Sequence, residues 1–156
     1  RKLAMLPSPK KEKIELHDLI DLTIEIMNPL FKENQIEVVN AISFKRYINV
    51  DAQQIEQVLI NLLTNCIYAV KDAAEKKISI SAEAKENRTF IKITDNGTGI
   101  ESEIENKIFL PFFTTRTEGA GIGLTLSKNI IESHGGYITY KRENEKTTFE
   151  ICLLED

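Results

Sequence analysis

Residues 78–100 read ISISAEAKENRTFIKITDNGTGI, and this stretch sets the architecture. Ile78 to Ala84 and Phe90 to Thr94 alternate apolar and polar residues around Glu86, Asn87 and Arg88, the period-two pattern of a β-hairpin with one face toward a core. The hairpin delivers the chain to Asp95, and Asp95-Asn96-Gly97-Thr98-Gly99-Ile100 follows directly. Gly97 and Gly99 open backbone angles closed to other residues and permit close approach of a flat ligand. Such a segment is either an ordinary turn or one wall of a site.

Upstream, Arg1 to Lys13 mixes basic residues with Pro7 and Pro9 and reads as a linker, with the globular part starting near Glu12. Asp18 to about Phe31 places Leu19, Leu22, Ile26 and Leu30 at helical spacing, with Asp18 as the cap. Ile36 to Ile42 and Phe44 to Val50 are expected as a strand pair, or as one strand with a short extension. Asp51 caps a long second helix running to about Glu75. Downstream, Asn96 to Gly123 is far longer than a routine connection and holds one helical candidate near Glu103 to Leu110. A third helix over Ile122 to His134 stops at Gly135-Gly136, and strands follow near Tyr137 to Arg142 and Thr148 to Leu154. This order predicts an α+β fold: a two-layer α/β sandwich whose mixed, mostly antiparallel sheet is covered on one face by three helices.

Composition narrows the function. The chain has 156 residues, 42% of them apolar, enough for one domain with a real core. A net charge of -4 lacks the basic balance on which nucleic-acid binding depends, so nucleic acid is not expected as a partner. Cys66 and Cys152 sit in apolar stretches without CxxC spacing and read as core thiols of a reducing compartment. Neither a signal peptide nor a run of about 18 apolar residues is present, so a cytoplasmic, soluble domain is expected. A start at Arg1, without methionine, suggests a piece of a longer parent, for which a membrane anchor stays open.

Three further segments carry chemistry. On the second helix, Val58, Leu59, Leu62, Leu63, Ile67 and Val70 form the apolar face, while Asn61, Asn65 and Tyr68 line a neighbouring stripe. Buried amides need partners, at roughly 1 to 3 kcal/mol each if unmet. They either tie loops to the helix or, for Asn65, offer a hard oxygen to Mg²⁺. After the hairpin, Asp95 can accept a hydrogen bond from an exocyclic amine and Ile100 can pack on a ring; adenine offers both surfaces. Gly119-Ala120-Gly121-Ile122-Gly123-Leu124 opens the third helix, where free N–H groups and the helix dipole favour an anion, although a plain hinge has the same composition. Its GxGxG spacing matches neither the Rossmann nor the Walker fingerprint. Phe109, Phe112 and Phe113 read as a hydrophobic cluster under a loop, ahead of Thr114, Thr115 and Arg116, whose guanidinium can reach a phosphate.

Together and in this order, NLLTNCIYAV, DNGTGI, IFLPFFTTR and GAGIGLTLSKNIIESHGG resemble the N, G1, F and G2 boxes of sensor histidine kinases, over roughly Leu16 to Leu154. The resemblance implies the Bergerat fold shared with DNA gyrase B subunits and MutL repair proteins, and ATP with Mg²⁺ as cofactors. Residues 1–11 would then be a linker or the end of an upstream dimerisation helix, and residues 12–156 the ATP-binding catalytic domain. Asn65 matches the magnesium ligand and Asp95 the adenine-reading carboxylate. Gly97, Gly99, Ile100, Phe113, Thr114, Thr115, Arg116, Gly119, Gly121, Ile122, Gly123 and Leu124 fall in boxes that wrap the nucleotide, with Asn61 and Arg116 the catalytic candidates. Hydrolysing relatives carry a glutamate where Asn61 stands; an amide cannot act as a base, which favours phosphoryl transfer over hydrolysis.

Tyr68, a nucleotide-binding candidate, stands where many members carry a basic residue near the phosphates, Arg116 where lysine is frequent, and Thr147, a candidate phosphate contact, lies in EKTTFEICL, which resembles the last family motif without its usual glycine. The family's phosphoacceptor histidine lies in a segment like HEIRNPL on a separate dimerising hairpin. Here IEIMNPL has Ile24 at that position and reads as first-helix sequence, and neither His17 nor His134 fits the acceptor role. The expected function is donation of the ATP γ-phosphoryl group to a histidine on the upstream helices, ahead of a response regulator, with Gly119, Gly121 and Gly123 hinging a lid. The isolated domain is expected to be monomeric. The alternatives are a serine/threonine kinase of the anti-sigma-factor type and a nucleotide-binding module without transfer activity.

Overall fold

In the computed structural model the described residues are 7–99, 107–109 and 122–155. Among them the elements run β1 (Glu12–Glu15), α1 (Leu16–Glu33), β2 (Glu37–Asn40), β3 (Tyr47–Val50), α2 (Ala52–Ala69), β4 (Lys77–Lys85), β5 (Arg88–Asp95), α3 (Ile122–Ser133), β6 (Tyr137–Glu143) and β7 (Lys146–Leu154). Five strands form one sheet in the order β2-β4-β5-β7-β6, with β2 parallel to β4 and the other pairs antiparallel. The expected two-layer sandwich is the observed one.

The β4–β5 hairpin pairs Ile78 with Asp95 and Ile80 with Ile93. Period two therefore turns Ile91, Ile93 and Asp95 to the buried face, and Phe149 and Ile151 of β7 continue that face. Ile55, Val58, Leu59, Leu62 and Leu63 of α2 pack on it, completing the core. Ile67, placed on this face from the sequence, is only partly buried. Cys66 and Cys152 are both buried and neither forms a disulfide.

Three expectations change. Helix α1 begins two residues before Asp18, because the Glu15 carboxylate accepts from the N–H groups of Asp18 (3.0 Å) and His17 (3.3 Å). Asp18 falls in the first turn, where its charge suits the dipole. Its buried stripe is Leu16, Leu19, Ile20, Thr23, Met27 and Phe31, whereas Leu22, Ile26 and Leu30 are about half exposed. Two apolar stripes share the helix, and the bulkier one packs inward. Thr23 is tolerated there because its hydroxyl donates to the Leu19 carbonyl at 2.9 Å.

The second change concerns β2 and β3, which do not pair with each other. β2 joins the large sheet beside β4, and β3 pairs with β1, whose Glu12 and Lys13 border the expected linker. Third, α2 ends at Ala69 and not near Glu75. The Ala69 carbonyl lies against the turn after β5, accepting from Thr98 N–H at 3.4 Å, and residue 70 caps the helix.

Helix α3 stops as expected at the glycine pair: Gly135 has φ +81°, and the N–H groups of Gly135 and Gly136 donate to the carbonyls of Glu132 and Ile131. His134 ties this end to the start of α2. Its Nε2 accepts from Asp51 N–H at 3.1 Å, so Nδ1 carries the proton donated to Ile130 O at 2.9 Å. The Asp51 carboxylate caps α2 through Gln54 N–H at 3.1 Å and accepts from Lys10 N–H at 2.9 Å.

The Lys10 N–H, with that of Gln54, holds the Asp51 carboxyl below its usual range. Its stabilisation is therefore present above the ordinary carboxylate range and is lost as pH falls through the depressed value. Asp51→Ala should cost about 1 kcal/mol at neutral pH. In urea unfolding the deficit should shrink on acidification, and a deficit independent of pH would remove the cap from the account.

Candidate functional site

Asp95 ends β5 and is 3% exposed. Its Oδ1 accepts from Gly97 N–H at 2.7 Å, curling the chain back over the carboxylate. Burial pushes the carboxyl above its usual range, opposed by that N–H, by a hydrogen bond from the Cys66 thiol and by the charge of Arg142. Asn96 anchors the turn from outside. Its Oδ1 accepts from Lys77 N–H at 3.0 Å, and its Nδ2 donates to Glu75 O at 2.6 Å.

Gly97 presses on α2: a Cβ there would lie 2.3 Å from the Ala69 carbonyl oxygen. Gly99 has φ +80°, and a Cβ on it would meet Arg142 Cδ at 2.6 Å. Both glycines are thus required by backbone angle or by close approach. Because Cys66 touches Asp95 and Ala69 touches Gly97, the polar edge of α2 runs alongside the turn.

On that edge Asn61 is half-buried, Asn65 buried and Tyr68 exposed. Asn65 Nδ2 donates to the Asn61 carbonyl at 2.8 Å, which fixes the amide and directs its oxygen elsewhere. The Lys71 ammonium stands 4.3 Å from the centre of the Tyr68 ring, so a cation lies where Tyr68 departs from the family pattern. Thr147 is 3% exposed and sits opposite Asp95 in the β5–β7 register.

In the long connection, Ile108 is buried, Phe109 meets Phe149 edge-on at 6.5 Å, and Phe109 O accepts from Thr125 Oγ1 at 3.1 Å. Phe109 is thus the hydrophobic anchor expected of it. Ile122, Gly123 and Leu124 lie in the first turn of α3, with Leu124 buried. Ile100, Phe112, Phe113, Thr114, Thr115, Arg116, Gly119 and Gly121, and most of the helical candidate at Glu103 to Leu110, lie outside the described residues.

The structure therefore brings Asp95, Gly97, Gly99 and Thr147 together, and sets Asn61 and Asn65 on the helix whose Cys66 and Ala69 meet that turn. Sequence reasoning missed Arg142 and took Cys66 only as a core thiol. Both reach the site through strand register and helix packing, which no local motif announces. The IEIMNPL segment lies within α1, where Met27 is buried against the core.

Residues 50–156 match the model of the histidine kinase-, DNA gyrase B- and HSP90-like ATPase family. The chain belongs to this family. The catalytic domain of histidine kinase ThkA superposes on this ATPase domain with a TM-score of 0.83 at 30% identity, covering 92% of this chain and 96% of that one. Sensor histidine kinase ZraS of Salmonella typhimurium is 35% identical over 147 residues, 91% of this chain but 31% of the relative. Sporulation kinase D of Bacillus subtilis is 32% identical over 149 residues, 92% of this chain and 29% of the relative. The ATPase domain thus spans a third or less of the length of the curated relatives it matches, from 31% down to 16%. Among the described residues no helix is long and apolar enough to cross a membrane.

Gly97→Ala puts a methyl group against backbone and not against a yielding side chain. It should cost about 1 to 3 kcal/mol in denaturant unfolding and weaken ATP binding by calorimetry. An unchanged unfolding midpoint together with unchanged affinity would show that the turn is not pinned to α2.

Proposed function

We propose that this ATPase domain binds Mg-ATP between the polar edge of α2 and the Asp95 turn, and donates the γ-phosphoryl group to a histidine on a separate dimerising helical segment of a two-component sensor kinase. The observation that carries the nucleotide reading is the buried Asp95 carboxylate at a strand end, beside a glycine turn shaped for close approach. A carboxylate there accepts from the adenine exocyclic amine, with Gly97, Gly99 and Ile100 against the ring.

The residues present fit Mg²⁺. Asn65 has its amide nitrogen committed to Asn61 O, so its oxygen is the atom left to offer. One protein oxygen suits an ion that keeps waters and phosphates as its other ligands. When bound, the ion would neutralise phosphate charge. Phe113, Thr114, Thr115, Arg116, Gly119, Gly121, Ile122, Gly123 and Leu124 are assigned to the phosphate side, and Thr147, from its register beside Asp95, to the base side.

Catalysis then rests on positioning and charge neutralisation. The acceptor imidazole nitrogen bonds to the γ-phosphorus as the bond to the ADP oxygen breaks, and ADP leaves with that electron pair. Asn61 supplies no base to activate water, which favours transfer over hydrolysis. His134 cannot be the acceptor, since both ring nitrogens are engaged and the residue is buried.

The names of the relatives support a histidine as acceptor. A solved complex of histidine kinase ThkA with response regulator protein TrrA, 26% identical with a TM-score of 0.82, supports a response regulator as the downstream partner.

The test is to mix the domain with the helical segment preceding it in its parent and γ-labelled ATP. Label in that segment that is lost in acid and stable in base is the expected phosphohistidine. Acid-stable label would replace this reading with a serine/threonine kinase, and absence of label with a binding module. Asn65→Ala should abolish the dependence of ATP binding on magnesium; retained dependence would remove Asn65 as the ligand.

A further inference from the structure

Arg142 lies on β6, the strand at the edge of the large sheet, and its guanidinium turns inward to the candidate site. NH1 donates to Gly97 O and to Thr147 Oγ1, both at 2.8 Å. In register, Arg142 faces Thr147, Thr147 faces Asp95, Asp95 faces Ile78 and Ile78 faces Val38, so one row crosses all five strands and ends at this arginine. Beyond the row, Gly97 O belongs to the turn that closes over Asp95. The side chain also lies flat on Gly99, whose missing Cβ would meet Arg142 Cδ at 2.6 Å and Nε at 2.8 Å.

The arginine forms no ion pair with Asp95 within salt-bridge distance; its short bonds go to a carbonyl and a hydroxyl. It therefore acts on the site through the turn. Gly97 is held from one side by Asp95 Oδ1, which takes its N–H, and from the other by Arg142, which takes its carbonyl. Two fixed bonds on one peptide-flanked residue set how far the turn stands from the carboxylate. Both bonds leave one guanidinium nitrogen, while Cδ, Nε and Cζ lie over Gly99; a lysine keeps the charge but not the planar group that rests on that glycine and sets where the nitrogen stands.

We infer that Arg142 is a positioning residue for base recognition, a latch that ties the Gly97–Gly99 turn to Thr147 on β7 and so fixes the gap into which the purine edge enters beside Asp95. The inference rests on the reading of Asp95 as the base-binding carboxylate. It predicts that loss of the latch weakens contacts to the base and leaves contacts to the phosphates alone.

The test is calorimetric titration of the 156-residue chain and its Arg142→Met, Arg142→Lys and Thr147→Val variants with Mg-ATP, and separately with magnesium tripolyphosphate, which has no base. Met and Lys at position 142 should each weaken ATP binding about tenfold, the worth of a lost well-placed hydrogen bond. Thr147→Val, which removes one anchor and keeps the bond to Gly97 O, should fall between them and the parent. Tripolyphosphate affinity should not change in any variant.

Equal losses for ATP and tripolyphosphate, or a lowered melting temperature with unchanged ATP affinity, would make Arg142 a structural residue only. Full ATP affinity in Arg142→Lys would assign the effect to charge and overturn the latch. Asp95→Asn, run alongside, separates the two readings. If it binds ATP as tightly as the parent, the base assignment itself fails. If it loses ATP while Arg142→Met does not, only the role of Arg142 fails.

Discussion

An aspartate carboxylate 3% exposed at the end of a central strand is costly for a domain of this size, and the neighbouring structure is organised around it. Gly97 N–H, the Cys66 thiol and the Arg142 charge each favour its ionised form, yet burial still wins and the carboxyl stays above its usual range. A carboxyl perturbed in this way at the end of a strand fits the ligand-reading role proposed for it. The turn, the end of α2 and the β6 edge meet around it. Gly97 gives its N–H to that oxygen and must lack a side chain to lie against the end of α2 at Ala69, and Arg142 donates to the Gly97 carbonyl on the far side.

The frame that holds this carboxylate is stiff. β5 is bonded on both sides, by β4 and β7, and its helix-facing isoleucines are sealed under α2. The same helix gives one face to the core and one edge to the site, and Asn65 is oriented by the helix's own backbone and not by a loop. A site built on regular elements keeps its geometry without ligand. His134, which resembles a catalytic residue by type, belongs to this frame: it joins the end of α3 to the cap of α2.

The hairpin, the glycine turn and the α3 stop were legible because each follows from local rules: alternating isoleucines, a strand ending in Asp-Asn-Gly, and a Gly-Gly pair past a periodic run. The buried stripe of α1 was not, since Thr23 reads as outward until its hydroxyl is seen bonded to Leu19 O. β1 and β3 are four residues each and pair across a long stretch of sequence, Glu12 with Val50 and Glu15 with Tyr47, which no local pattern reveals. Arg142 escaped for the same reason, because its meaning depends on the register of β6 on β7 and on a turn from a different part of the chain. In the candidate site, residue types on α2 and after β5 were legible as chemistry, while their mutual placement was not.

On the proposed reading, Asp95 is retained for nucleotide at the expense of the empty domain. Its folded pKa lies above the unfolded 3.8, so its ionisation disfavours the fold. That penalty is absent below the unfolded value and complete above the folded one. An asparagine keeps an oxygen for Gly97 N–H without the charge. The most direct measurement is therefore the melting temperature of Asp95→Asn against the parent, at neutral pH, with and without saturating Mg-ATP. Without nucleotide the variant should melt at or above the parent, and ATP should raise the melting temperature of the parent but not of the variant. A variant that melts well below the parent when empty, yet is still stabilised by ATP to the same extent, would contradict it.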